Sequence, residues 1–195
     1  MTTLLAQPSW IEDEAGAIAF PVSAPGVIGG AAIRAARRSA GLSRQDLART
    51  LAVNADTVRT WENGTRPLFS VRHDQLCQIA DALRKVDAQV GRDVGELVLA
   101  SQCDLLIAGI LHGFEDYAEV PHIDDDTEGQ AARGLLRWAL IEAVPDRYQA
   151  YAPTGPLLAK PDVILFAAAA RELQAGLYGS DLASYGAALL AITTP

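Results

Sequence analysis

Two short amphipathic periods, separated by only four residues and flanked by Gly41 and Gly64, constrain the fold of this 195-residue chain more than any other feature. Within each period the apolar residues recur at the i, i+3, i+4 spacing of a helix. These residues are Leu47, Ala48 and Leu51 in the first period and Val58 and Trp61 in the second. Because Ala48 is small, a second helix can cross the first closely and at a steep angle. The stretch therefore predicts two short helices joined by a tight turn.

Capping residues mark the ends of both predicted helices. Ser43 is a favourable N-cap for the first helix, and Asp46, three residues later, supplies the acid of a capping box. Asn54 can cap the second helix in the same way. Gly41 and Gly64 stand where the chain is expected to adopt a positive φ, which costs glycine little. We therefore interpret residues 41–64 as a self-contained helix-turn-helix motif.

The net charge of −8 conceals a strong asymmetry along the chain. Eight arginines and only three acidic residues lie between Gly30 and Arg72, which gives this segment a charge of +5 and leaves −13 for the remainder. A basic segment in an acidic chain is typical of a module that meets a polyanion while the rest of the protein stays in solution. The alternative interpretation is an arginine-rich helical surface that has no ligand.

Cysteine content and hydropathy indicate a reducing compartment. Cys77 and Cys103 are too few for a disulfide framework and lack the spacing of metal ligands. The uninterrupted apolar runs, such as residues 163–170, are shorter than the roughly 18 residues that span a membrane. The N-terminus has no basic region before its apolar residues, so we expect no signal peptide. These features predict a cytoplasmic protein.

Three regions follow from the pattern along the chain. Residues 1–29 are expected to form an N-terminal arm in which 18–22 makes one short edge strand. Residues 30–86 are expected to form a domain around the helix-turn-helix, and its first helix is predicted over Ala31–Ala40. Residues 87–195 are expected to form a helical C-terminal domain.

Helical periodicity continues through the C-terminal half, where no strand pattern is visible. The sequence predicts helices over 73–85, 90–114 and 127–144, and a last helical region over 162–192 that breaks near 176–180. The acidic, turn-rich segment between the second and third of these is expected to be an exposed loop. The prediction for the whole chain is an all-α fold.

Residues 30–83 resemble the DNA-binding domain of the Cro/C1-type repressors, the XRE family. The resemblance is carried, in order, by GLSRQDLA, LAVNADTV, WENGTRP and LCQIADAL. It implies a lambda-repressor-like helix-turn-helix domain, here followed by an α-helical region for dimerisation or regulation. One departure is Ala52, which stands where the family usually has glycine in the turn.

The resemblance implies that the helix Ala55–Asn63 enters the DNA major groove. The implied DNA-contacting residues are Arg44, Gln45, Asn54, Ala55, Asp56, Arg59, Thr60, Asn63, Thr65 and Arg66. Arg59 would bond a guanine, and Asp56 would accept from a cytosine amino group. For Asp56 a helix-stabilising acid, and for Arg59 a solvated side chain, remain open as alternatives. Arg37 and Glu62 occupy family positions that form an internal ion pair, so we assign them to structure.

We expect no enzyme activity, no cofactor and no metal. His112, His122, Cys103 and the aspartates at 124–126 lack the spacing of a known metal site, and a solvated acidic loop explains the aspartates better. No nucleophile stands near a base in any catalytic pattern.

The sequence predicts a sequence-specific transcriptional regulator, namely a homodimeric bacterial repressor on a near-palindromic double-stranded DNA operator. It would be cytoplasmic and associated with the nucleoid when bound. Two alternatives stay open. The C-terminal helices could bind a partner protein, as in an antitoxin, or an apolar C-terminal pocket could bind a small-molecule effector that alters DNA affinity.

Overall fold

The computed structural model describes residues 23–86, 88–112, 123, 127–176 and 183–193. These segments contain α-helices and short 3-10 turns but no β-strand. The helices are α1 (Val27–Ser39), α2 (Arg44–Thr50), α3 (Ala55–Glu62), α4 (His73–Lys85), α5 (Val94–His112), α6 (Thr127–Ile141), α7 (Lys160–Gln174) and α8 (Ala183–Thr193). The all-α prediction is confirmed, with the helix-turn-helix first and further helices after it.

The caps predicted for α2 and α3 are present. The backbone N–H of Asp46 donates to Ser43 Oγ at 3.1 Å, and Asp46 Oδ2 accepts from the Ser43 backbone at 3.1 Å, which completes a capping box. Asn54 Oδ1 accepts from the backbone N–H of Thr57 at 2.6 Å. Both helices therefore begin where their local sequence directs them to begin.

Positive φ angles occur at both predicted glycines and at one alanine. Gly41 has φ +65° and Gly64 has φ +71°, as expected for the ends of the motif. Ala52, in the turn between α2 and α3, has φ +52°. An L-residue with a Cβ is strained in this region, which explains why glycine is usual at this position.

The first helix begins at Val27 and not at Ala31, so the prediction of its start was wrong. Glycines at 29 and 30 disfavour helix by intrinsic propensity, but tertiary packing requires them here. A Cβ on Gly30 would lie 2.6 Å from the carbonyl oxygen of Trp61, and one on Gly29 would lie 2.8 Å from Leu68 Cγ. Only residues without side chains allow α1 to pack this closely on its neighbours.

The C-terminal helices pack directly on the helix-turn-helix region. Helix α5 contacts α1, α4 and the 3-10 turn Leu68–Ser70, and α6 also contacts α1. One hydrophobic cluster extends from Ile28 in α1 to Ile192 in α8. Packing of this kind ties the orientation of α1 to the C-terminal half.

Helix α5 is apolar over most of its length. Its window Val94–Leu111 is long and apolar enough to cross a membrane by length and composition, although no uninterrupted apolar run in the sequence has that length. In the fold, 67% of this window is buried against other parts of the chain, so it is weak evidence for a membrane span and fits a core helix.

The other C-terminal helices lie close to their predicted positions. Helices α5 and α6 end two to three residues before the predicted limits 114 and 144, and the last region is divided into α7 and α8 as expected. The predicted edge strand at 18–22, His122 and the aspartates at 124–126 lie outside the described residues.

Two buried carboxyl groups from the C-terminal half bond the backbone at the start of α1 and just before it. The carboxyl oxygens of Asp104 accept from the backbone N–H groups of Ile28 and Gly29, each at 2.8 Å. Asp162 Oδ2 accepts from the backbone N–H of Ser23 at 2.6 Å. The N-cap residue of α1 makes no side-chain bond to the helix, so Asp104 accepts from backbone N–H groups that this residue leaves unpaired.

Candidate nucleic-acid interface

Helix α3 has one buried face and one accessible face. Val58, Trp61 and Glu62 are buried, and Trp61 belongs to the hydrophobic core as predicted. On the opposite side Asp56 and Arg59 are exposed. The helix therefore presents a short polar surface on a rigidly packed support.

Most of the residues implied for DNA contact are accessible. The exposed ones are Arg44, Gln45, Asn54, Asp56, Arg59, Asn63, Thr65 and Arg66, and the half-buried ones are Ala55 and Thr60. Since Asn54 Oδ1 accepts from both the backbone N–H and the hydroxyl of Thr57, its side-chain carbonyl oxygen is already engaged in capping α3.

The turn after α3 folds back onto that helix. The backbone N–H of Arg66 donates to the carbonyl oxygen of Thr60 at 3.0 Å, and the Thr65 hydroxyl donates to the same oxygen at 3.3 Å. These bonds place Thr65 and Arg66 beside the C-terminal half of α3. The implied DNA-contacting residues of the turn are thereby brought next to those of α3.

Asp56 and Arg59 form an ion pair on the accessible face of α3. Arg59 Nε lies 3.0 Å from Asp56 Oδ1, and the two side chains are 54% and 76% exposed, respectively. An exposed ion pair at i, i+3 is worth only about 0.5 kcal/mol or less. A base edge can therefore compete for either partner.

The buried carboxylate of Glu62 is the electrostatic centre of the motif. Its side chain is fully buried, and the expected ion pair with Arg37 is present, with Arg37 Nε 2.5 Å from Glu62 Oε1. Arg44 from α2 also reaches this carboxylate, with Nε 2.6 Å from Oε2. Arg34 donates from Nη2 to the Glu62 backbone oxygen at 2.7 Å, and its Nε is 4.0 Å from Oε2.

The arginines determine the ionisation of Glu62. Burial alone would raise the pKa of Glu62, but the hydrogen bonds and charges of Arg37 and Arg44 outweigh it and hold the pKa below its usual value. Burial lowers the pKa of Arg34. The charge of Glu62 raises this pKa in part, and the charges of the neighbouring arginines lower it further. The cluster therefore contains an ionised carboxylate surrounded by more positive charge than it neutralises.

The sequence identified only one partner of this cluster. Arg34 precedes Arg37 by one helical turn, so both side chains lie on the same face of α1, and the spacing alone could have predicted that Arg34 approaches Glu62. The approach of Arg44 depends on how α2 crosses α3, and no local pattern reveals it. Arg44 was predicted to contact DNA, and the structure shows that its Nε atom donates to Glu62 within the protein.

Within the described residues, no group of three or more His, Cys, Asp and Glu side chains could hold a metal ion. Cys103 is buried in α5, and burial raises the pKa of its thiol.

Comparison with known proteins agrees with this geometry. Residues 30–91, about a third of the chain, match a family model described as a helix-turn-helix domain. No curated protein and no solved structure matches the chain. The matched segment holds most of α1 and all of α2, α3 and α4. Residues 30–91 thus form a helix-turn-helix domain of the XRE, or Cro/C1, type.

Proposed function

We propose that this protein is a sequence-specific transcriptional regulator that reads the major groove of double-stranded DNA with α3. The observation that carries the proposal is the pairing of an accessible polar face on α3, which includes Asp56 and Arg59, with an opposite face fixed by the core and by Glu62. A helix of this length fits across the major groove, and a rigid support keeps its side chains in register with the bases.

The accessible face supplies both polar and apolar contacts to bases. Arg59 can donate two hydrogen bonds to a guanine, and Asp56 can accept one from a cytosine amino group. Ala55 and Thr60 can contact a thymine methyl group. The remaining implied residues, apart from Asn54, whose side chain caps α3, position the protein on the sugar-phosphate backbone. They are Arg44, Gln45, Asn63, Thr65 and Arg66.

We further propose a homodimer that acts as a repressor on a near-palindromic operator. One helix-turn-helix contacts a single half-site, and two-fold pairing of proteins matches two-fold symmetry of the site. The C-terminal helices, which pack against α1, would set the spacing between the two recognition helices. This role requires no catalysis and places the protein in the cytoplasm, on the nucleoid when bound.

Selection from a random double-stranded DNA pool tests the proposal. The full-length protein should enrich an inverted repeat whose half-sites are about 10 base pairs, or a multiple of this, apart. Arg59→Ala should relax base preference at one position of each half-site, with a loss of about 1–3 kcal/mol in discrimination. Arg84→Ala is the matched control, because Arg84 is an exposed arginine of α4 that pairs with Asp81.

Failure to enrich any sequence would contradict the proposal. Sedimentation of the free protein tests the dimer separately, and a monomer at micromolar concentration would contradict that part alone.

A further inference from the structure

Three guanidinium groups surround the buried carboxylate of Glu62, but they do not have equivalent roles. Arg34, Arg37 and Arg44 bring three positive charges to one negative charge, so two positive charges remain unneutralised in the cluster. A surplus of positive charge beside the accessible surface of α2 and α3 favours an approaching anion.

Arg37 uses all its nitrogens inside the protein. Its Nε and Nη2 donate to Glu62 at 2.5 and 3.3 Å, and its Nη1 donates to the carbonyl oxygen of Leu42 at 2.7 Å. The side chain is only 12% exposed. Because each nitrogen is already bonded inside the protein and the side chain is nearly buried, we assign Arg37 to structure.

Arg44 is bonded in a different way. Its Nε donates to Glu62 at 2.6 Å, while its side chain remains 44% exposed. Among the described residues, neither of its Nη groups has a hydrogen-bond partner. One edge of the guanidinium is thus held by the protein, and the other edge is presented at the surface.

The planar guanidinium makes this division useful. A bond at Nε fixes the plane of the group, and the two Nη groups are then positioned to donate in parallel to the oxygens of one phosphate. Glu62 belongs to α3, and Arg44 begins α2. Arg44, bonded to Glu62 on one side and to a phosphate on the other, would therefore link α3 to the DNA backbone.

We propose that Glu62 is a positioning residue that orients Arg44 toward a DNA phosphate, so that phosphate binding and base reading are held in one register. This inference rests on the proposed function and specifies how that site is organised. It requires arginine at position 44, because a lysine ammonium can pair with Glu62 or with a phosphate but does not offer two opposed edges.

Substitution at position 44 tests the inference with Glu62 intact. Affinity of Arg44→Lys and Arg44→Ala for the selected operator should fall by similar factors, about tenfold, and the salt dependence should lose about one phosphate contact in each. Arg49→Lys is the matched control, because Arg49 lies on the same helix, is 77% exposed and pairs only with Asp46 among the described residues. It should bind like the wild type. Wild-type affinity in Arg44→Lys would overturn the inference.

A double-mutant cycle separates positioning from a merely structural role of Glu62. Glu62→Gln should weaken operator binding in the wild-type background but not in the Arg44→Ala background, so that the two losses are not additive. Equal losses in both backgrounds would overturn the inference. Thermal unfolding identifies a Glu62→Gln variant that does not fold, in which case the position-44 series decides. If the wild type enriches no DNA, the proposed function itself fails. If the wild type binds its operator tightly but the losses from the two substitutions are additive, only the positioning role of Glu62 fails.

Discussion

The carboxyl group of Asp104 accepts a 2.8 Å hydrogen bond from the backbone N–H of Ile28, a residue that precedes it by 76 positions. Asp104 lies inside α5, is fully buried, and bonds the N–H of Gly29 as well. The N-cap residue of α1, Gly26, offers no side chain for this purpose. The first helix of the DNA-binding domain is therefore capped by the C-terminal half of the chain.

Asp104→Ala should destabilise the protein by about 2–4 kcal/mol, because two buried N–H groups would lose their acceptors and α1 would lose its cap. Chemical denaturation of the full chain measures this loss. Asp93→Ala is the matched control, since Asp93 caps the exposed start of α5 by accepting from Gly95 at 3.0 Å. It should cost about 1 kcal/mol. Equal effects of the two substitutions would contradict the assigned role of Asp104.

Asp104 should also make stability depend on pH. Burial raises the pKa of Asp104 to about 8, more than its two N–H donors lower it. The folded state then retains a proton that the unfolded state releases near pH 4, so this contribution is full below pH 4 and is lost as pH rises toward 8. The expected slope is at most about 1.4 kcal/mol per pH unit.

Denaturation of the wild type and of Asp104→Asn at several pH values between 4 and 9 measures this contribution. The difference between the two proteins should change across the window, since asparagine does not titrate. Glu62 acts in a separate window, because its lowered pKa makes its stabilisation disappear below about pH 4.5. A difference that stays constant from pH 4 to 9 would exclude a raised pKa for Asp104.

Features that depend on nearby residues could be predicted from the sequence, whereas features that depend on tertiary contacts could not. Ser43, Asp46 and Asn54 mark helix starts through bonds within three residues, so their roles were predictable. The bond that Asp104 accepts from Ile28 has no such signal, because in the sequence Asp104 is simply an acid within a largely apolar helix. The same limit explains why α1 was predicted to begin too late: its glycines and its cap make sense only after α3 and α5 pack against it.

Gly64→Ala should be far more damaging than Gly41→Ala, although both glycines have similar positive φ angles. A Cβ on Gly64 would lie 2.6 Å from the carbonyl carbon and oxygen of Gly26, whereas one on Gly41 meets nothing within 4 Å. Strain alone should cost Gly41→Ala about 1 kcal/mol, and the added backbone collision should bring Gly64→Ala to about 3 kcal/mol or more. Melting temperatures of the two variants measure the contrast, and similar values would refute the close approach of residues 26 and 64.

Ala52→Gly should stabilise the protein slightly. Relief of a positive φ at a residue with a Cβ gains about 1–2 kcal/mol, and the greater freedom of glycine in the unfolded chain removes about 0.4–1 kcal/mol of this gain. Ala40→Gly is the control, because Ala40 has φ −81° and has no such strain to relieve. Denaturation should show opposite signs for the two substitutions, and a loss of stability in Ala52→Gly would refute strain in this turn.

Asp56→Ala should raise non-specific DNA binding while it lowers specificity. Asp56 is exposed and neutralises Arg59 at 3.0 Å, so its removal frees a positive charge on the proposed DNA surface. A freed arginine contacts any phosphate, which strengthens binding to unrelated DNA and steepens its salt dependence. The loss of an acceptor for cytosine removes discrimination at one base pair.

The measured quantity is the ratio of operator affinity to random-DNA affinity, which should fall about tenfold. Glu142→Ala removes an exposed acid just after α6 and controls for the change in net charge. A ratio unchanged in Asp56→Ala would show that this acid serves only as a helix-stabilising residue.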